Sequence, residues 1–367
     1  MKRVLLLAVA VCLAACSSDT RLFQQAKQAV AKGNYTKALS LYNKLLKQNP
    51  QHAAALTNRG LLWEMMPAKN TAEKAKNRGF AENDYLRALE LNPDSAEAYN
   101  NLGALYLDMN HNADAAGYFT EALLRNPSYF TALVNRGVAY SRLGQLSKAL
   151  LDFSRAQELR PHDASLLLNR GLAYMDAEKY EQAVDDFSHA LVTQPDNARL
   201  YLERARAYTK MGYPADAYDD LSEAITLKPS YALAYYYLGD LMFRNGDKDY
   251  ALGALIRAKE LASQYVPTYD LMGDMLAMED PVSATANYLV AAKLDPQHAA
   301  KYRRKIEQMK TEEGRYQVMS ARFFPQGRAY NAEGQRFAAR PIPTVVQAQR
   351  VSAGGQNTRR SARRAGR

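Results

Sequence analysis

Residues 96–127, AEAYNNLGALYLDMNHNADAAGYFTEALLRNP, decide the fold. Leu102, Gly103 and Tyr106 sit at the spacing of one helical face. After a polar turn at Asn110 to Asn112, Ala115, Phe119 and Ala122 give the same rhythm, and Asn126-Pro127 closes the stretch. A small residue recurs where two helices must approach closely, and a large one beside it fills the gap. The frame then returns. Pro93, Pro127, Pro161, Pro195 and Pro229 follow one another at thirty-four residues, with Pro50 before them and Pro296 after one lapse at Ser263. A pair of helices this short cannot bury its apolar face alone, so neighbours must stack and the array folds as a unit.

On these residues the chain resembles the tetratricopeptide repeat, over roughly Arg21 to Thr311. The resemblance implies an all-α fold: a right-handed superhelical solenoid of about eight helix-turn-helix repeats, ended by a capping helix near His298 to Thr311. The division expected is residues 1–15 as a lipoprotein signal peptide, 16–20 as a tether, 21–310 as solenoid and 311–367 as a mostly disordered, Arg-rich tail. The first helix of repeat one, Arg21 to Ala31, is degenerate. Repeat two carries a nine-residue insertion around Pro67 to Arg78, rich in Lys and Asn, expected to extend the turn between its helices.

Charge is unevenly placed. The chain of 367 residues has a formal charge of +10, yet residues 16 to 310 carry 35 groups of each sign. Residues 311–367 hold eleven Arg against three Glu, an arm suited to lipid headgroups, lipopolysaccharide or another polyanion. Nucleic acid is not an expected partner, since the leader directs the chain elsewhere. That leader, MKRVLLLAVAVCLAAC, has a basic start, an apolar run too short to span a bilayer, and small residues before Cys16. Leu13 to Cys16 resembles a bacterial lipobox. This implies acylation of Cys16, anchoring to a membrane and, with Ser17 following, outer-membrane placement facing the periplasm. An ordinary secretory leader ending in Cys is the alternative. Cys12 and Cys16 are the two cysteines, so the mature fold holds no internal disulfide and no cysteine metal site.

Two side-chain patterns ride on the frame. Arg59, Arg136, Arg170 and Arg204 precede the Gly or Ala of four first helices, and Asp84, Asp152, Asp186 and Asp220 precede the large apolar residue of the same four second helices. Repeats without the Arg (Gln25, Leu102, Leu238, Met272) also lack the Asp (Leu41, Tyr118, Ala254, Asn287). The expected arrangement is an ion pair inside each repeat, because a half-buried guanidinium without a partner is costly. One residue earlier stands Asn58, Asn101, Asn135 or Asn169. This column resembles the asparagine ladder by which some repeats of this family grip the backbone of an extended peptide. Val134, Val138, Leu168, Leu172 and Met175, then Tyr236, Tyr237 and Phe243, are expected to flank such a groove. The plainer alternative is that these Asn solvate their own helices and the apolar residues pack between neighbours.

No catalytic arrangement emerges. His52, His162 and His298 follow closing prolines, His111 sits in a turn, and His189 lies on a helix; none has a nucleophile motif or metal-ligand spacing. The expectation is a scaffold for periplasmic or envelope proteins, not an enzyme, with no cofactor and no metal.

Overall fold

The computed structural model describes residues 18–323. Eighteen α-helices and one short 3-10 turn account for nearly all of it, with no strand among the described residues. Helix α1 spans 18–31, and α2 (Tyr35–Gln48) completes the first hairpin. The following hairpins are α3 (Ala53–Met65) with α4 (Thr71–Leu91), α5 (Ala96–Asp108) with α6 (Asn112–Arg125), and α7 (Phe130–Arg142) with α8 (Leu146–Leu159). Then come α9 (Ala164–Asp176) with α10 (Tyr180–Thr193), α11 (Ala198–Met211) with α12 (Pro214–Leu227), α13 (Ala232–Arg244) with α14 (Lys248–Leu261), and α15 (Val266–Leu276) with α16 (Pro281–Leu294). Two further helices end it: α17 (Ala299–Gln308) and α18 (Glu312–Phe323). The helices divide into two compact units, one ending at Ala173 and the other starting at Tyr174, within α9.

The core of each unit follows from the small–large frame. Ala38, Ala81, Ala115 and Ala149 in the first unit, and Ala183, Ala217, Ala251 and Ala284 in the second, have no exposed surface. Four residues later each second helix buries one large side chain, among them Tyr42, Tyr85, Phe119 and Phe153 in the first unit. Each such ring is worth roughly 1.5–3 kcal/mol relative to exposure. The first helix opposite offers glycine for a steric reason. A Cβ on Gly137 would lie 2.5 Å from a ring carbon of Phe153, inside any real contact distance. Turns between helices use the left-handed region, as at Gly144 (φ +70°) and Asn110 (φ +61°).

Three features depart from the expectation. Helix α1 is regular, burying Leu22, Ala26 and Ala29. The insertion of repeat two lengthens a helix instead of a turn: only residues 66–70 connect α3 to α4, and α4 starts early and runs 21 residues. Its start is capped by Asn70, whose Oδ1 accepts the Glu73 backbone N–H at 2.9 Å, while Glu73 accepts the Lys69 N–H at 2.7 Å. Third, the helical body runs past the boundary placed at 311. Thr311 Oγ1 accepts the Gly314 N–H at 3.1 Å, starting α18. Val318 on α18 is buried with Met309, Tyr302, Tyr269 and Ala277. The end of the second unit is therefore a further hairpin, α17 with α18, in place of one capping helix.

Candidate functional site

The Arg–Asp pairs made by Arg59, Arg136 and Arg204 are two-pronged. Arg136 donates from Nε to Asp152 Oδ2 at 2.7 Å and from Nη2 to Oδ1 at 2.8 Å. Arg59 does the same to Asp84 at 2.8 and 2.6 Å, and Arg204 to Asp220 at 2.8 and 2.7 Å. Such forks hold direction as well as charge. The remaining prong reaches further: Nη1 donates to Asn43, Thr120 or Ser188 on the second helix of the preceding repeat, at 2.8, 3.1 and 3.0 Å. Each guanidinium thus ties three helices. Bonding to the carboxylate raises the Arg136 and Arg204 pKa values above the ordinary range, against the burial that opposes them. Burial pushes the Asp220 carboxyl up, and Arg204 pulls it back in part. Arg170 and Asp186 fall on opposite sides of the division between units. Both are buried, and Arg170 Nη1 donates to Gln157.

The asparagines stand in one register on α3, α5, α7 and α9, and all four are half-buried. Asn58 and Asn169 each spend one amide hydrogen on their own helix, donating to Ala54 O and Ser165 O at 2.9 Å. Asn101 accepts from Asn100 at 3.2 Å. Each side chain thus keeps further hydrogen-bonding capacity. Val138, Leu168 and Leu172 are half-buried beside them, whereas Val134 is buried in the core.

The column does not continue into the second unit. The equivalent positions hold Glu203, Tyr237 and Leu271. Glu203 is buried and accepts from Arg206, which lies over the Tyr237 ring at 5.2 Å. Burial opposes the Arg206 charge, and Glu203 and Tyr237 more than offset it. Tyr236, expected to flank a groove, is 9% exposed and packs edge-on against Tyr237 and Tyr265 at 5.1 and 5.3 Å. Phe243 is likewise buried. In this unit the first-helix face is filled by its own aromatic side chains. The alternation of sizes around Tyr236 carried no signal for this, because three consecutive Tyr look the same whether they face solvent or a neighbour.

Cys16 and the terminal arginines lie outside the described residues. Among the described residues no cluster of His, Cys, Asp and Glu could hold a metal ion, and no helix is long and apolar enough to cross a membrane.

The comparisons agree with this architecture. A family model described as "Tetratricopeptide repeat" matches residues 23–68, 103–164 and 202–265, and one described as "TPR repeat" matches 81–110 and 171–212. Together they span more than half of the chain. No curated protein matches. Among solved structures, a tetratricopeptide repeat protein from Parabacteroides merdae is 22% identical, with a TM-score of 0.54 over 70% of this chain and 98% of its own. PilW, described as a widely conserved type IV pilus biogenesis factor, is 22% identical with a TM-score of 0.52, over 58% of this chain and 94% of its own. PilF of Pseudomonas aeruginosa is 19% identical with a TM-score of 0.51, over 60% and 97%. At these identities the likeness is one of fold. Stacked small–large hairpins, their thirty-four-residue frame and the family matches lead to one statement: the chain belongs to the tetratricopeptide repeat family, whose arrays are protein–protein interaction scaffolds.

Proposed function

We propose that this chain is an adaptor that holds an extended segment of another polypeptide along the first helices of its first unit. The observation that carries the reading is the column Asn58, Asn101, Asn135 and Asn169, in one register and open to hydrogen bonding. An amide offers donor and acceptor to a peptide unit without demanding a sequence, and half-buried Val138 and Leu172 give side chains an apolar footing. The leader adds the place: acylated Cys16 moors the scaffold to the outer membrane facing the periplasm, and its partners are envelope proteins. Work on a pilus or secretion complex is the assembly role we favour, by likeness to PilW and PilF. Catalysis and cofactors have no part in this reading.

A photo-crosslinking residue placed at Asn101 or at Asn135 tests it in cells. Both positions should trap the same protein, and one at Leu151, which is 63% exposed on α8, should not. Capture from Leu151 with none from the two asparagine positions would sink the reading. Separately, Cys16→Ser should release the protein from sedimented membranes, and continued sedimentation refutes the anchor.

A further inference from the structure

A surface helix keeps one apolar stripe for the core and turns polar side chains to water. Helix α16 breaks that rule. Inward it buries Ala284, Tyr288 and Ala291 in the usual frame. Outward it presents Val282, Ala286, Leu289 and Val290, of which Val282 is 80% exposed and Leu289 57%. Its 14 residues carry one charge, on Lys293. Other second helices of this unit differ in the same register. Where α16 has Ala286 and Val290, α10 has Asp185 and His189 and α12 has Asp219 and Glu223, all exposed. A helix apolar on both sides is built to be covered on both sides.

The pattern of the outer face points to its cover. Val282, Ala286, Leu289 and Lys293 follow at steps of four, three and four, the spacing of a seam between two helices. Alanine near the middle lets a second helix come close. The ends carry opposite charge. Exposed Asp280 caps the helix, its Oδ1 accepting the Ser283 backbone N–H at 3.0 Å. Exposed Lys293 has no ion-pair partner among the described residues. Laid antiparallel on itself about a two-fold axis, α16 sets Ala286 beside Leu289 and each Lys293 beside Val282 and Asp280 of the other copy. The C-terminal arm answers this face less well. Residues 324–367 hold nine Arg and one Glu, and no carboxylate stands between Asp280 and Lys293 to meet them.

We propose that two copies of this chain pair through α16 as an antiparallel helix dimer. Apolar burial supplies the attraction, and the end charges set the direction. A parallel pairing would bring Lys293 to Lys293 and Asp280 to Asp280, which the like charges oppose. One helix pair is smaller than a standard interface of about 800 Å² per partner, so the contact is reversible, with a dissociation constant on the order of 10 µM. The pairing does not depend on the asparagine column, and it gives the scaffold two of them.

Sedimentation equilibrium of the full-length chain should fit a monomer–dimer equilibrium. Leu289→Glu should weaken it by about tenfold or more, with circular dichroism and thermal unfolding unchanged because Leu289 is largely exposed. Cysteine placement reads the direction, in a chain whose native thiols are removed by Cys12→Ser and Cys16→Ser. Ala286→Cys should form an intermolecular disulfide on oxidation, since antiparallel pairing leaves these positions offset by about 4.5 Å along the axis, whereas Val282→Cys, offset by about 16 Å, should not. A chain still monomeric at about 200 µM overturns the proposal. So does a dimer that Leu289→Glu leaves intact, which puts the contact on another surface. Pairing that appears only after truncation behind Phe323 makes the chain's own arm the occupant and overturns it too. Should Leu289→Glu not fold, the two cysteine positions decide: a disulfide from Ala286→Cys and none from Val282→Cys supports the pairing, and any other pattern refutes it.

Discussion

Arg136 is held by Asp152 of its own repeat and Thr120 of the one before, and it is largely desolvated. Removing one partner strands the other. Arg136→Ala should cost roughly 3–5 kcal/mol of stability by denaturant unfolding, whereas Arg136→Leu with Asp152→Leu should recover most of that. A double variant as unstable as the single one contradicts this account. Next along α7, Gly137→Ala forces a methyl group against Phe153 and should cost roughly 1–3 kcal/mol in the same assay. The partnership of Arg with Asp was legible because the two change together within one repeat. The third bond was not: Thr120 stands sixteen residues upstream on a different hairpin, and only stacking brings it near.

At the scale of elements, α4 shows how a polar run can look like a turn and fold as a helix. Lys and Asn around residues 67–78 look like a turn, yet Ala72, Glu73, Lys74, Ala75 and Lys76 are strong helix formers. Given the cap at Asn70, they extend the helix that follows. Asn70→Ala should cost about 1 kcal/mol and quicken amide exchange over residues 71–78, leaving α5 protected. Helix α18 is obscured in the sequence for a related reason: Gly314 and scattered Arg blur its periodicity, and its start depends on a Thr311 side-chain bond that spacing does not announce. The asparagine column was read off the repeat frame, while its end at Glu203 needed the packing of Arg206 and Tyr237 to be seen.

For each unit as a whole, the ends set the response to conditions. In the second unit Lys305 bonds both Asp270 and Asp274 at 2.6 and 2.5 Å, and Lys301 adds a bond to Asp270 at 2.7 Å, locking α17 onto α15. Burial pushes the Asp270 carboxyl up, but the two lysines more than reverse it and hold it below its ordinary value. A depressed folded value means that this stabilisation is complete above the unfolded carboxylate pKa of about 4 and fades as pH falls through the lower folded one. Amide exchange in α17 and α18 should therefore accelerate below about pH 4, before α13 responds, and Asp270→Asn should flatten that dependence. Truncation after Thr311 removes Val318 from the terminal cluster and should destabilise the unit by about 1.5–3 kcal/mol in thermal unfolding.

The three-way arginine ties are not uniform along the array, and mechanics should betray it. Where Leu102, Leu238 or Met272 stands in place of Arg, the joint with the preceding hairpin rests on van der Waals packing alone at that position. Pulled from its termini in an optical trap, the molecule should yield first at those three seams, releasing blocks of hairpins in a fixed order.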